Sequence, residues 1–393
     1  MGVPAYNPRV TVYLDHAAST PLRPEVLAEM LPILEGDGAN PSSPHAPGRQ
    51  ARRWLDEAHE RLARSIGAEA RSIIFTSGGT EAINLAVKGA AWAGKAAGHR
   101  ILTTAVEHKA VLESCLLLEK YGFDVRKLAV DRYGQLHPDD LTAALTDKTI
   151  LVSLQLANNE VGTIQPLAEL IGRVRAASPA LVHVDAVQGA AHLPIDVETL
   201  GADLVSFAAH KVEGPKGVGA LWIRRGTTIL PQVHGGSQER YRRAGTENVA
   251  GAVGMAIAFE LATAERSTTV VALASRRDRL RAALLAMESV ELTGHPVERL
   301  PGSLSVIVRG VPGDDLVMAL DLEGVACSTG SACTTGSSEP SHVLAAMGFP
   351  PSEARSALRL SLGRRSSDED VAVAERVLAE VIGRLREGQA QLP

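Results

Sequence analysis

Lys211 lies in the stretch Ser206-Phe-Ala-Ala-His-Lys-Val-Glu-Gly-Pro-Lys-Gly-Val-Gly219, on a short loop after an apolar run and before a glycine-rich turn. A lysine amine presented in this way can add to a carbonyl and form a Schiff base. Val205 and Phe207 read as buried strand, and Gly214, Gly217 and Gly219 leave the backbone room to approach a ligand. Most lysines are solvated surface charges, and Lys216, inside the Gly-Pro-Lys-Gly turn, is read as one of these. Upstream, the run His183-Val-Asp-Ala-Val-Gln188 is an apolar strand that ends in the carboxylate of Asp185. An acid in that place can keep a pyridine nitrogen protonated.

A phosphate cradle should accompany such a ring. The segment Ile73-Ile-Phe-Thr-Ser-Gly-Gly-Thr-Glu-Ala-Ile-Asn84 supplies a strand, a Ser-Gly-Gly-Thr turn and an apolar pattern of helical period through Ala82, Leu85, Ala86 and Gly89. Backbone amides at such a helix start face an anion, although Gly-Gly-Thr also caps ordinary helices. His108 follows the apolar run Ile101-Leu-Thr-Thr and opens another helical pattern, where its ring can stack on a planar group or serve as a structural hydrogen-bonding group. Lysine, ring-nitrogen acid and phosphate cradle together point to pyridoxal phosphate.

In order and spacing these segments resemble the cysteine desulfurases of the iron–sulfur assembly type, IscS/NifS-like members of the class-V aminotransferases and of the fold-type I pyridoxal phosphate enzymes. The resemblance runs nearly end to end, through Tyr13-Leu-Asp-His-Ala-Ala-Ser-Thr-Pro21, Asn40-Pro-Ser-Ser, Thr76-Ser-Gly-Gly-Thr-Glu81, Glu107-His-Lys-Ala-Val111 and Asn158-Asn-Glu-Val-Gly162. It continues through the Asp185 and Lys211 segments, His234-Gly-Gly-Ser-Gln-Glu-Arg240, Ala244-Gly-Thr-Glu-Asn248, Cys327-Ser-Thr-Gly-Ser-Ala-Cys333 and Arg359-Leu-Ser-Leu-Gly363.

The resemblance implies a role for each matching residue. Lys211 carries the cofactor, Asp185 holds its ring nitrogen, and His108 stacks on the ring and serves in acid–base chemistry. Asn159 and Gln188 flank the ring's phenolic oxygen, and Gly79, Thr80 and His210 hold the phosphate. Thr246 reaches the phosphate of a neighbouring subunit, which implies a homodimer with shared active sites. Asn40 and Arg359 clamp the substrate carboxylate, a task suited to the forked guanidinium. Cys333 is the nucleophile that takes sulfur from L-cysteine as a persulfide, leaves L-alanine, and passes the sulfur to an acceptor protein such as an iron–sulfur scaffold. No resident metal is implied; Cys333 would meet an iron–sulfur cluster only on a partner. Three positions depart from the family pattern: Ala208 and Ala244 stand where serine is common, and Ser237 where glycine is common. These bear on cofactor affinity.

The run around Cys333 is small and polar, too poor in apolar residues to pack as a core, and reads as a mobile surface loop. Cys327 reads as a small residue at the base of that loop, and Cys115 as core on a helix face with Val111, Leu112 and Leu118. Two other readings stay open. One is a related lyase or aminotransferase, including a selenocysteine lyase, whose turnover would survive loss of Cys333; the other is a partner-binding platform without chemistry.

Short apolar strands alternate with helical patterns from about residue 70 to 225: Ile73 to Thr76, Ile101 to Thr104, Val125 to Leu128, Ile150 to Leu154, Leu181 to Asp185, Leu204 to Phe207 and Gly219 to Ile223. This alternation predicts an α/β fold with a mostly parallel seven-stranded sheet and helices on both faces. A long helix from Val249 to about Met287 leads toward a smaller α+β part, with strands Leu304 to Arg309 and Ala357 to Ser361 and a closing helix Asp368 to Glu387. The expected division is a large cofactor-binding domain over 15–262 and a small domain from 1–14 and 263–393, bearing the cysteine loop at about 325–340.

The chain has 393 residues, 45% of them hydrophobic, and a formal net charge of −5, which carries no nucleic-acid footprint. Arg49, Arg52 and Arg53, with Arg240, Arg242 and Arg243, read as solvated faces or subunit contacts. The first residues lack an apolar signal core, and no run approaches the roughly 20 apolar residues that span a bilayer. With three cysteines and no disulfide framework, a cytoplasmic enzyme is expected.

Overall fold

The computed structural model describes residues 12–330 and 340–390. Its centre is a seven-stranded sheet in the spatial order Ile73–Thr76, Gly219–Ile223, Leu204–Ala208, Leu181–Asp185, Thr149–Gln155, Arg100–Thr104 and Asp124–Leu128. Gly219–Ile223 runs antiparallel to both neighbours, and the other pairings are parallel. Each strand expected from the sequence is present, with ends that differ by at most one residue.

Strand periodicity explains why both faces are covered. Successive side chains point to opposite faces, so Ile73, Phe75, Leu102, Val205 and Phe207 join one apolar cluster while Ile74, Ile101 and Leu204 join another. The first cluster is closed by helices Ala46–Ser65, Leu167–Ala177 and the first part of Val249–Leu285, the second by helices Gly79–Gly94 and Lys109–Lys120. Cys115 is fully buried in the second, as its helical spacing predicts.

A separate apolar cluster gathers Val12, Leu14, Leu273, Leu280, Leu304, Val306, Leu358, Leu360 and Val377. It lies under a three-stranded antiparallel sheet, ordered Ala357–Ser361, Ser303–Val308 and Val290–Leu292, with helices Gly313–Leu322 and Asp368–Ala390 against it. Helix Val249–Leu285 serves both clusters: its apolar residues from Ala250 to Phe259 are buried in the first, and Leu273, Leu280 and Leu284 in the second. Of the expected cysteine loop, Cys333 lies outside the described residues.

Because the parallel strands share one direction, the residues that follow their carboxyl ends meet along a single edge of the sheet. Ligands of open α/β sheets bind at this edge. Here it collects Glu107 and His108 after Arg100–Thr104, Asn158 and Asn159 after Thr149–Gln155, Gln188 after Leu181–Asp185, and Lys211 after Leu204–Ala208.

Candidate active site

A cavity of about 350 Å³ opens at that edge, lined by Gly79, Thr80, His108, Gln155, Asn159, Asp185, Gln188, His210, Lys211 and Arg359, with Ala17, Ala18 and Gly330 among its other walls. Of the site residues read from the sequence, the cavity brings together all but three. Asn40 and Thr246 line a different hollow, beside Trp54 and Asn248, where Asn40 Oδ1 accepts the amide of Ser42 at 2.8 Å. Cys333 is outside the described residues, but Gly330, three positions before it, is on the cavity wall.

The Lys211 amine donates to the carbonyl oxygen of Ala17 and, at 3.0 Å, to that of Ala18. Gln188 Nε2 donates to the same Ala17 carbonyl at 2.8 Å, so the Ala17–Ala18 backbone ties the two side chains together. Asp185 is buried, and its Oδ1 accepts the Val187 amide at 3.0 Å. Burial pushes its carboxyl up to about 6, against the opposing pull of that amide and of Lys211.

His108 caps helix Lys109–Lys120, with Nδ1 accepting the Ala110 amide at 3.1 Å. A backbone N–H only donates, so Nδ1 carries the lone pair and the proton of the neutral ring sits on Nε2. Burial, with Lys211, His342 and Lys109 nearby, pushes the ring down to about 4. His108 is therefore neutral at pH 7 and can offer the Nε2 hydrogen without adding charge. His210 is pushed down to about 4 in the same way, by burial and by Lys211 and Lys216.

Arg359 is 2% exposed. Its guanidinium donates to Asn159 O at 2.9 Å, to Gly330 O at 3.3 Å and to Asp15 Oδ1 at 2.8 Å. Asp15 was not singled out from the sequence. No local spacing shows the pairing, because 344 residues separate the two partners. Glu107, equally unassigned, is fully buried; burial, then Asp185, pushes its carboxyl up to about 8.

The residues fit pyridoxal phosphate. Helix Gly79–Gly94 points its first turn at the cavity, and amides there have no carbonyl of their own helix to bond. The turn is built for close approach: a Cβ on Gly79 would come within 2.7 Å of Val187 Cγ2, and one on Gly219 within 2.5 Å of the Gly78 carbonyl carbon. Glu81, the acid of that first turn, is occupied by Arg243 at 2.9 Å and the Ser77 amide at 2.8 Å. An anion of phosphate size, a ring beside His108 and a ring nitrogen at Asp185 each meet a complementary group.

This edge of such a sheet, with a lysine on it, is where fold-type I pyridoxal phosphate enzymes hold their cofactor, and the protein is of that class. Residues 12–373 match the aminotransferase class-V family, and the chain belongs to it. It is 47% identical over 375 residues to the cysteine desulfurase IscS of Methanosarcina thermophila, covering 95% of this chain and 93% of that one. To the cysteine desulfurase IscS of Dictyoglomus turgidum it is 48% identical, covering 95% of each. Among solved structures, a NifS-like protein superposes with a TM-score of 0.88 at 36% identity, over 97% of this chain and 100% of that one. DndA from Streptomyces lividans superposes with a TM-score of 0.74 at 34% identity, over 92% and 99%.

A pH dependence follows from Asp185. Its carboxyl sits above the ordinary value of 3.8, so the anion that would hold a protonated ring nitrogen is fully present only above about 6. Glu107 remains a neutral acid until about 8 and does not compete in that range. The affinity of the cofactor-free protein for pyridoxal phosphate should fall as pH drops below about 6, approaching about tenfold per pH unit. Absorbance titrations between pH 5 and 8 would show it; an affinity flat across that range would remove Asp185 from this role.

Proposed function

We infer that the protein is a cysteine desulfurase that uses pyridoxal phosphate to take sulfur from L-cysteine, leaving L-alanine and a persulfide on Cys333. The observation that carries this reading is the gathering of Lys211, Asp185, His108, Gln188 and Arg359 on one cavity, whose wall includes the last described residue before the Cys333 segment.

The other two thiols are poor candidates for the nucleophile. Burial pushes Cys115 up to about 12 and Cys327 up to about 12, the latter with Asp15 adding to the effect, so neither offers a thiolate near pH 7.

The cofactor supplies a place for the electron pair released at the substrate's α-carbon. Asp185 keeps the ring nitrogen protonated. Arg359, pre-oriented by Asp15 and the Asn159 and Gly330 carbonyls, takes the substrate carboxylate. Lys211, moving off the Ala17 and Ala18 carbonyls, accepts the α-proton and later returns a proton to carbon. His108 places its Nε2 hydrogen over the reacting group as a neutral donor. The Cys333 thiolate attacks the substrate sulfur; the S–S bond forms, the C–S bond breaks, and its electron pair with a proton completes alanine.

Thr246 and Asn40 stand apart from their own chain's cavity, and helix Pro24–Glu35 exposes Leu27, Leu31 and Leu34 at 42%, 40% and 60%. Both features support a homodimer in which these residues serve the partner's site. The same reading assigns the large domain to 15–262, the small domain to 1–14 and 263–393, the sulfur to an acceptor protein, and the enzyme to the cytoplasm. Among the described residues no helix is long and apolar enough to cross a membrane.

The test is product stoichiometry. With L-cysteine, pyridoxal phosphate and a reductant, the protein should release alanine and sulfide in equal amounts. Pyruvate and ammonia in place of alanine would overturn the reading in favour of a lyase.

A further inference from the structure

One polar side chain in the cofactor cavity has been given no task. Gln155 ends strand Thr149–Gln155 and is 2% exposed. It stands in register with Asp185 on the adjacent parallel strand, so the two side chains project from the same face of the sheet, and both line the cavity. Its backbone amide donates to Glu107 Oε1 at 3.0 Å, which pins this end of the strand.

The side-chain amide is oriented. Asn158 Oδ1 accepts the amides of Glu160 and Val161 at 2.8 and 2.9 Å, so its Nδ2 must face the other way, toward Val106 O at 2.9 Å and Gln155 Oε1 at 3.4 Å. With Oε1 taken by Asn158, the other end of Gln155 is the donor Nε2, which has no hydrogen-bond partner among the described residues. A buried N–H pair left unmatched costs about 1–3 kcal/mol. A site tolerates it where a ligand restores the match.

We propose that Gln155 is a further cofactor-positioning residue, whose side-chain N–H completes the Asp185 carboxylate when a ring nitrogen docks against it. One oxygen of Asp185 already accepts the Val187 amide at 3.0 Å. The ring N–H and the Gln155 N–H are then the remaining donors for a carboxylate that can accept about four hydrogen bonds. No hydrogen bond joins the two side chains among the described residues; in this proposal the contact forms as the ring nitrogen binds and strengthens that binding. Hydrogen bonds to the anion favour the charged form, which is the form the ring nitrogen needs. The other titratable or charged groups around Asp185 are Lys211, His108, His210 and Arg359 on the cavity wall, the neutral acid Glu107, and His183, whose ring is held between the hydroxyls of Ser153 and Ser206 at 2.8 Å each. None of these presents an unpaired amide.

The inference rests on the reading of Asp185 as the ring-nitrogen partner, and the experiment separates the two. Cofactor-free protein is titrated with pyridoxal phosphate by absorbance between pH 5 and 8, for wild type, Gln155→Met, Gln155→Asn and Asp185→Asn. Methionine has nearly the length and volume of glutamine without its donor. Gln155→Met should weaken cofactor binding about tenfold, the worth of a hydrogen bond to a charged group, and, at saturating cofactor, move the acid midpoint of the bound cofactor's absorbance upward by about one pH unit. Gln155→Asn, which keeps an amide, should fall between it and wild type.

Weaker binding with an unmoved midpoint would make Gln155 a packing residue and overturn the proposal. Unchanged binding in Gln155→Met, with Asp185→Asn impaired, would overturn it alone. Asp185→Asn binding as wild type would overturn the site reading and the proposal with it.

Discussion

Replacing Lys211 by alanine is expected to lower alanine formation from L-cysteine by roughly 10⁴-fold or more, the upper range for removal of a positioned acid–base group. The expectation rests on placement. The Lys211 amine is the lysine nitrogen on the cavity, bonded to the Ala17 and Ala18 carbonyls, while Lys216 of the same loop is exposed. Among the described residues no other lysine lines that wall, so none of them is placed to take over the proton. Borohydride reduction gives an independent readout: it should fix the cofactor to a peptide containing Lys211 in the wild type, and fix none to the variant. A reduced adduct on Lys216, or a variant that keeps a tenth of its rate, would show that the site is misassigned.

Replacing Cys333 by alanine is expected to abolish release of both sulfide and alanine, with at least a 10³-fold loss on the order expected for a missing nucleophile, while leaving pyridoxal phosphate bound with its wild-type spectrum. The two effects are expected to separate because the groups that complement the cofactor are Gly79, Thr80, His108, Asp185 and Lys211. Cys327 cannot rescue the variant: its thiol is pushed up to about 12 by burial and by Asp15 and Asp321. Mass spectrometry of the wild type after one turnover should find a mass increase of one sulfur on Cys333. A Cys333→Ala protein that still produces alanine at a substantial rate would make the chemistry a direct elimination, as in the lyase and selenocysteine readings.

Much of the site is legible in the sequence, because several of its groups sit beside a strand end and strands announce themselves by apolar runs. Lys211, Asp185 and His108 were read in that way, and the cavity unites them with Gly79, Thr80, Asn159, Gln188, His210 and Arg359. Cys115 was legible as core from helical spacing alone and is fully buried. What could not be read were pairings across long stretches of chain: Asp15 with Arg359, Arg23 with Glu213 and Glu265, and the Ala17 carbonyl that receives both Lys211 and Gln188. Gln155 had a faint signal, a polar residue closing an apolar strand, but its neighbour Asp185 is 30 positions away and becomes adjacent only through strand register. Asn40 and Thr246 show a limit of another kind, since within one chain they face a hollow away from the cofactor.

By itself, then, the sequence determined the elements and the chemical repertoire: seven apolar strands, the helices between them, a lysine, an acid, an imidazole and a thiol in a fixed order. These are local properties, set by side-chain periodicity of two or 3.6 residues and by glycine at turns. The tertiary structure decided which of those groups share one cavity and what charge each carries there. Parallel strands align their carboxyl ends on one edge, and burial at that edge pushes Asp185 up to about 6, His108 down to about 4 and Glu107 up to about 8. Such shifts come from desolvation and from neighbours far away in the chain, which linear spacing does not encode.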